Sequence, residues 1–342
     1  MQIFVLEHLS VRAADAHEDS LAEEGFAMLR ASCLDLASQP GIDVFAAVHP
    51  RLMERAELEG LHVIAVSENY DRLASIAASF DGVLLIAPEI DGVASDWARR
   101  LERSGATLLG PSSTFIAWAS DKLAVAQTFS NCSPPTIVLG ARQVPMDWGD
   151  ELVLKPRDGV GSLFTMAVCR KELQTAARII RSDGYEGDLI VQPRIHGRAV
   201  SVALVAARSD SVIQWPGVEQ FIEAVPCREQ PSIRRLEYRG GIVPLDGFVD
   251  RVVDLARDVS SSAPCFRGWI GIDVILATDG RDVVVDVNPR LTTSYLGYSH
   301  LFPGIPARMI LGRATNADLE VLRRSTPRRA RFDTKGRVEF VA

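Results

Sequence analysis

The stretch VVVDVNPRLTTSYLGY, Val283 to Tyr298, decides the fold. It opens as an apolar strand and closes on Asp286, Asn288 and Arg290. Side chains alternate along a strand, so Asp286 and Asn288 face the same way. Upstream, WIGIDVILA (Trp269 to Ala277) is a second β-rich run. The connection carries Asp279-Gly280, a dipeptide favoured in two-residue hairpin turns. With those two residues as the turn, Thr278 faces Arg281, Ile275 faces Val284 and Asp273 faces Asp286. Two carboxylates then lie opposite each other, with Asn288 on the same face. Like charges so placed repel, and the apolar pair Ile275–Val284 shields them from water. Such a pair needs a shared proton or a cation. Two Asp and an Asn amide form an all-oxygen set that suits Mg²⁺, which keeps waters and binds phosphate oxygens as well. A solvated acidic hairpin, or an Asp protonated in the core, is the alternative on spacing alone.

Working outward, a second strand, Glu151 to Lys155, runs into Lys155-Pro156-Arg157-Asp158-Gly159-Val160-Gly161-Ser162. Glycines let backbone N–H groups approach an anion and the lysine adds a point charge, so the segment reads as a phosphate cradle. A plain hairpin with Gly in its turn is the competing reading. Ser120-Asp121 breaks a helical stretch and caps its second piece, which puts Lys122 in a first helical turn. On its own that lysine reads as a surface charge.

Before residue 110 strands alternate with helices: strands over Gln2 to Glu7, Ile42 to Val48, Leu61 to Val66, Gly82 to Ile86 and Ala106 to Leu109, with helices over Leu21 to Ala37, Arg51 to Glu59, Tyr70 to Ser79 and Ser95 to Ser104. This alternation predicts a doubly wound parallel sheet whose strand ends line a crevice. Glu7, His8 and the stretch Ala87-Pro88-Glu89 fall at those ends and read as ordinary loop polarity. Val11 to Asp19 reads as a loop. No GxGxxG follows the first strand, which sets a dehydrogenase aside. Farther on, a helix over Lys171 to Arg181, a strand over Leu189 to Val191, a strand over Ala199 to Ala206 and a helix over Phe248 to Ser261 are expected. Val212 to Pro244 reads as irregular, and Val338 to Val341 as a short terminal strand.

The chain has 342 residues, 47% of them hydrophobic, and a net charge of −7. These values fit two or three globular domains and leave no nucleic-acid footprint. No apolar run reaches membrane-spanning length, and MQIFVLEHLS reads as a first strand with no basic leader region. Cytoplasmic residence is the expectation. The five cysteines are scattered without CxxC, which points to a reducing compartment and buried thiols.

In this order and spacing, Lys122, the VLKPRDGVGS segment, VQPRI, Asp273 and DVNPR resemble the ATP-grasp superfamily of carboxylate–amine ligases. The resemblance implies an α/β and α+β fold: an N-terminal doubly wound pre-ATP-grasp domain (residues 1–112), a central ATP-grasp subdomain (113–191) and a C-terminal subdomain with the metal site (192–342), the nucleotide lying between the last two. It implies that Lys122 and Lys155 contact nucleotide phosphates and that Gly159, Gly161 and Ser162 belong to a flap over them. Gln192, at a position usually Glu, faces the adenine. The backbone of Pro193, Arg194 and Ile195 runs along the adenine edge. By the same resemblance Asp273, Asp286 and Asn288 would hold two Mg²⁺ ions, with Mn²⁺ as an alternative, and Arg290 would stabilise the acyl phosphate. Arg239, Ser294 and Tyr295 are expected against substrate carboxylates. A second hinge acid that binds ribose in the family is replaced by Ala199.

Within the superfamily, Glu24-Gly25-Phe26-Ala27-Met28-Leu29, Ile86-Ala87-Pro88-Glu89, Tyr238-Arg239-Gly240-Gly241 and DVNPRLTTSY are similar to the tyramine–glutamate ligase group. Relatives of that group serve tetrahydromethanopterin and methanofuran biosynthesis. The resemblance therefore implies ATP-dependent amide formation between a glutamate-like acid and an amine, both small molecules, with a homodimer as the superfamily-level expectation. A nucleotide-binding protein without turnover and a kinase-like phosphoryl transferase are the rivals.

Overall fold

In the first strand, Ile3 and Val5 face one core while Phe4 and Leu6 face another, and all four are fully buried. Only a strand covered on both sides buries successive residues this way. The computed structural model describes residues 1–12, 19–55, 58–66, 69–206, 212–247, 249–324 and 328–341. Its first part runs β1 (Gln2–Glu7), α1 (Asp19–Ala37), β2 (Asp43–Val48), β3 (His62–Ala65), α2 (Tyr70–Ala77), β4 (Gly82–Ile86) and α3 (Val93–Arg103). The four strands form a parallel sheet in the order β3-β2-β1-β4. Strand order reverses between β1 and β4, so the crevice of this doubly wound sheet opens at Glu7 and at the loop after Ile86.

Two shorter expectations change here. The helix expected over 51–59 reduces to a 3₁₀ turn at Pro50–Leu52. Leu58 is buried but no apolar stripe accompanies it, and residues 56 and 57 lie outside the described residues. The strand expected at 106–109 is a single parallel bridge between Leu108 and Val83. Most of the loop expected over 11–19, residues 13–18, also lies outside the described residues.

Two short helices follow, α4 (Ser113–Ser120) and α5 (Lys122–Thr128), each capped as its sequence dictates. The Ser112 hydroxyl accepts from Phe115 N, and Asp121 Oδ1 accepts from Leu123 N and Ala124 N. The rest comprises β5 (Ile137–Val138), β6 (Glu151–Pro156), β7 (Met166–Cys169), α6 (Leu173–Ser182), β8 (Leu189–Pro193), β9 (Gly197–Ala206), β10 (Val212–Gln214), β11 (Val218–Pro226), β12 (Arg234–Val243), α7 (Val249–Ser262), β13 (Gly268–Ala277), β14 (Val283–Asn288), α8 (Ser294–Leu301), α9 (Ile305–Ile310), α10 (Asn316–Arg323), β15 (Arg329–Phe332) and β16 (Val338–Val341). Strands β5 to β16 join one sheet whose main path is β14-β13-β9-β11-β12-β7-β6-β8-β5.

The stretch 212–244 is therefore not irregular; it holds β10, β11 and β12. β11 and β12 are half-exposed and carry charges where an apolar alternation would announce a strand. Cross-strand pairing stands in for burial: Glu223 lies opposite Glu237, and Arg239 pairs with both. Of the cysteines, Cys33 and Cys227 are buried as expected, whereas Cys265 is exposed. Among the described residues no helix is long and apolar enough to cross a membrane.

Candidate functional site

The hairpin of β13 and β14 brings Asp273 opposite Asp286 and Gly271 opposite Asn288. Its turn is longer than two residues. Ile275 pairs with Val283, and the register shifts between Asp273 and Val274 so that Val285 bulges out of the ladder. The bulge releases the Val285 carbonyl, which accepts from Lys155 Nζ at 3.1 Å. Lys122 Nζ lies 2.5 Å from Asp286 Oδ2. Asp273 Oδ1 accepts from Gln220 Nε2 at 3.0 Å and its Oδ2 from Asn288 Nδ2 at 2.9 Å. Lys122 is placed from the strand side, since its backbone N–H donates to Arg157 O and the Arg157 guanidinium grips Asp121 at 2.6 and 2.8 Å.

Burial raises the Asp273 carboxyl above its ordinary value, and the facing Asp286 adds to the shift. Burial pushes the Lys155 ammonium down to about 8, with neighbouring Lys122 acting the same way against Asp286 and Asp273. A divalent cation at the paired carboxylates would relieve the repulsion that lifts Asp273. The donor set is two carboxylates and an amide, all hard oxygens, which fits Mg²⁺ with waters and phosphate completing its shell. Among the described residues no group of three or more His, Cys, Asp or Glu gathers into a fuller cage.

These residues line one cavity of about 360 Å³. Its walls include Lys122, Lys155, Gly159, Gly161, Ser162, Gln192, Pro193, Arg194, Ile195, Asp273, Asp286, Asn288, Arg290 and Ser294. The loop over it has left-handed backbone at Gly161 (φ +58°), Ser162 (φ +62°) and Phe164 (φ +59°). Positive φ at the last two is uncommon for side-chain-bearing residues. Asp158 ties the loop's root down, accepting from Asp91 N at 2.8 Å and from the Tyr185 hydroxyl at 2.5 Å. On the opposite wall Gln192 is buried and its amide donates to Thr136 Oγ1 at 2.8 Å. Val153, Ile222, Ala224, Leu236 and Ile275 give this end an apolar lining.

Two expected residues are not brought to the cavity. Arg239 lies on the exposed face of β12, held by Glu223 and Glu237. Tyr295 is fully buried and its hydroxyl donates to Asp35 Oδ2 at 2.8 Å. One residue along the helix from Ser294, it turns toward α1 and braces α8 and α9 there, because Asp35 also accepts from Gly304 N and Ala307 N.

Around Arg290 gather three acids, Glu89, Glu24 and Glu7, whose grouping is not readable from spacing. Arg290 Nε lies 2.9 Å from Glu89 Oε1, and its Nη2 donates to Glu89 Oε2 at 3.1 Å. Both side chains are buried. Glu24 lines the cavity, and its Oε1 accepts from the Thr293 hydroxyl. Glu7, at the end of β1, accepts from Leu9 N (3.0 Å), Ser10 N (2.7 Å) and the Ser10 hydroxyl (2.6 Å). Gly25 lets α1 come this close: a Cβ there would sit 2.6 Å from the Glu7 carboxyl. His8 is buried and accepts from Trp97 Nε1 at 2.9 Å, a core role.

Burial raises the Glu7 carboxyl from 4.5 to about 7. The folded chain therefore holds this proton where the unfolded chain has lost it. Stability from neutral Glu7 is full below about pH 4.5 and is lost as pH rises through about 7. Over that window the loss is on the order of 3 kcal/mol. Burial also raises Glu24, Asp35 and Asp273, so the comparison with Glu7→Gln isolates the effect. The wild-type melting temperature should fall between pH 5 and pH 8 more steeply than that of Glu7→Gln, and parallel profiles would refute the assignment.

A family model described as the ATP-grasp domain matches residues 119–294, just over half of the chain. The chain belongs to the ATP-grasp family. A pre-ATP-grasp model matches residues 42–116, so this ATP-grasp chain carries both parts that its sequence led one to expect. It is 21% identical over 270 residues to the tyramine–L-glutamate ligase of Methanocaldococcus fervens, covering 77% of this chain and 78% of that protein. It is 24% identical over 180 residues to a D-alanine–D-alanine ligase of Anaeromyxobacter, covering 50% of this chain and only 57% of that protein. In fold it is similar to an ATP-grasp superfamily protein of Archaeoglobus fulgidus, with a TM-score of 0.71, 23% identity, and 97% and 92% of the two chains covered.

Proposed function

We propose that this chain is an ATP-dependent ligase that joins a carboxylate to an amine through an acyl phosphate. The observation that carries the reading is the meeting, in one cavity, of the Asp273–Asp286 pair, Lys122, Lys155 and Arg290. In this reading Lys122, Lys155 and the N–H groups of the loop over 159–162 bind the nucleotide phosphates. The adenine occupies the apolar end near Gln192 to Ile195. Asp273, Asp286 and Asn288 would hold Mg²⁺, which supplies charge neutralisation to the transferring phosphoryl group. A carboxylate oxygen of the acid attacks the γ-phosphorus and ADP leaves. The amine nitrogen then attacks the acyl carbon and inorganic phosphate leaves. Arg290 directs N–H donors at the charge that develops on oxygen.

The likeness to the tyramine–L-glutamate ligase makes L-glutamate and tyramine the first probe pair, and a place in one-carbon coenzyme biosynthesis rests on that likeness alone. The buried Gln192 amide turned to Thr136, with Ala199 on the wall where an acid would meet ribose, favours a second reading: nucleotide binding without turnover.

The test is calorimetric binding of ATP, ADP and GTP with and without Mg²⁺. ATP should bind in a Mg²⁺-dependent way, and Asp286→Ala should weaken it at least tenfold. ADP release with the probe pair then separates ligase from silent binder. Failure of every nucleotide to bind would overturn both readings.

A further inference from the structure

The charges around the cavity do not balance evenly along its length. Lys122 is matched by Asp286, and the Arg290 guanidinium is gripped by Glu89 from the end of β4. Glu24 is different. Its Oε1 takes a neutral hydroxyl, that of Thr293, and the cation that acts on it, Arg290, makes its ion pair with Glu89 instead. The other oxygen faces the loop, since a Cβ on Gly161 would come within 4.0 Å of Oε2. A carboxylate partly withdrawn from water, beside a cation already paired elsewhere, is favoured by a cationic ligand. The position is also chemically specific: Thr293 follows Arg290 by three residues, so Glu24 stands at the end where the acyl group is formed. Tyr238 lines the same end and interacts with both Glu24 and Thr293.

We infer that Glu24 seats the amine co-substrate as its ammonium ion, which makes the amine a basic primary amine, cationic at neutral pH. The inference rests on the ligase reading. Glu24 lies outside both matched segments, 42–116 and 119–294, so a residue beyond the shared ATP-grasp region sets the choice of amine. The step balances. The ammonium gives one proton to Glu24 Oε2, and the neutral nitrogen forms the C–N bond as the C–O bond to phosphate breaks. Phosphate leaves with that electron pair and takes the second proton from nitrogen. Glu24 then returns its proton to water.

Glu24→Gln keeps the shape and the acceptor for Thr293 but removes the charge. With Mg-ATP and L-glutamate, tyramine is compared with hydroxylamine, a nucleophile uncharged at pH 7.5. The ratio of kcat/KM for tyramine to that for hydroxylamine should fall about 100-fold in Glu24→Gln and about tenfold in Thr293→Val. A ratio within threefold of wild type would overturn the inference, including the case where both nucleophiles lose equally. A second measurement needs no turnover. Wild type should bind tyramine at least tenfold more tightly than its uncharged isostere tyrosol, and Glu24→Gln should lose that preference. Equal affinities in wild type, or an intact preference in the variant, would sink the inference. Absent nucleotide binding, by contrast, sinks the ligase reading itself.

Discussion

Arg290→Ala is expected to lower amide-forming turnover about a thousandfold while ATP affinity changes severalfold at most. One donor aimed at a developing oxyanion is worth 10² to 10³ in rate, and the guanidinium supplies more than one. Its orientation comes from Glu89, which accepts from Nη2 at 3.1 Å and forms an ion pair 2.9 Å from Nε, and from Nη1 donating to Leu291 O at 3.0 Å. Glu89→Gln therefore should lower kcat about tenfold, less than removal of Arg290 itself. The stability effects should run in the opposite order. Without Glu89 a buried guanidinium keeps its charge, because arginine does not give up its proton in proteins, and the loss is about 3 kcal/mol. Arg290→Ala removes that permanent cation itself, so it costs less. Steady-state kinetics and thermal melts on both variants check the pair of orders. Glu89→Gln with wild-type stability would refute the buried-pair account.

How much of this was legible varies with the kind of contact. The facing of Asp273 and Asp286 follows from strand alternation, and it survives although the expected turn was too short. The longer turn moves Val283 opposite Ile275, and the bulge at Val285 moves the register back by the same one residue. Nothing local announces that bulge. Its freed carbonyl is taken by Lys155, 130 residues away, and the turn is held by Asp282, which accepts from Ala277 N and from Arg251. The acids show the other limit. Glu7 and Glu89 end β1 and β4, which the alternation pattern located, but only the strand order β2-β1-β4 makes those ends neighbours. Glu24 joins them because Gly25 lets α1 pack on the Glu7 carboxyl, a contact between distant elements that spacing does not encode. Tyr295 misled for a helical reason: residues adjacent along a helix point about 100° apart, so Ser294 meets the cavity and Tyr295 the core.

Lys155 carries the remaining large expectation, a nucleotide affinity that falls as pH rises through about 8. Its ammonium is buried and depressed to about 8. The groups that face it are Lys122, which lowers the value, and Asp286 and Asp273, which raise it. Below about pH 8 the group is charged and ready for phosphate; above it the free protein holds a neutral amine. A bound triphosphate favours the charged form, so binding at pH 8.5 must draw a proton from solvent. Calorimetry in two buffers of different ionisation enthalpy should detect that uptake, and affinity should drop by up to about one log unit per pH unit above 8. Lys155→Arg keeps the charge at every accessible pH, so its affinity should be flat from pH 7 to 9.5 and its proton uptake absent. Lys155→Ala should bind ATP about a hundredfold more weakly, again without the slope. A wild-type affinity constant over that range would mean that the cavity holds Lys155 fully charged, and that the Val285 carbonyl and the two aspartates outweigh its burial.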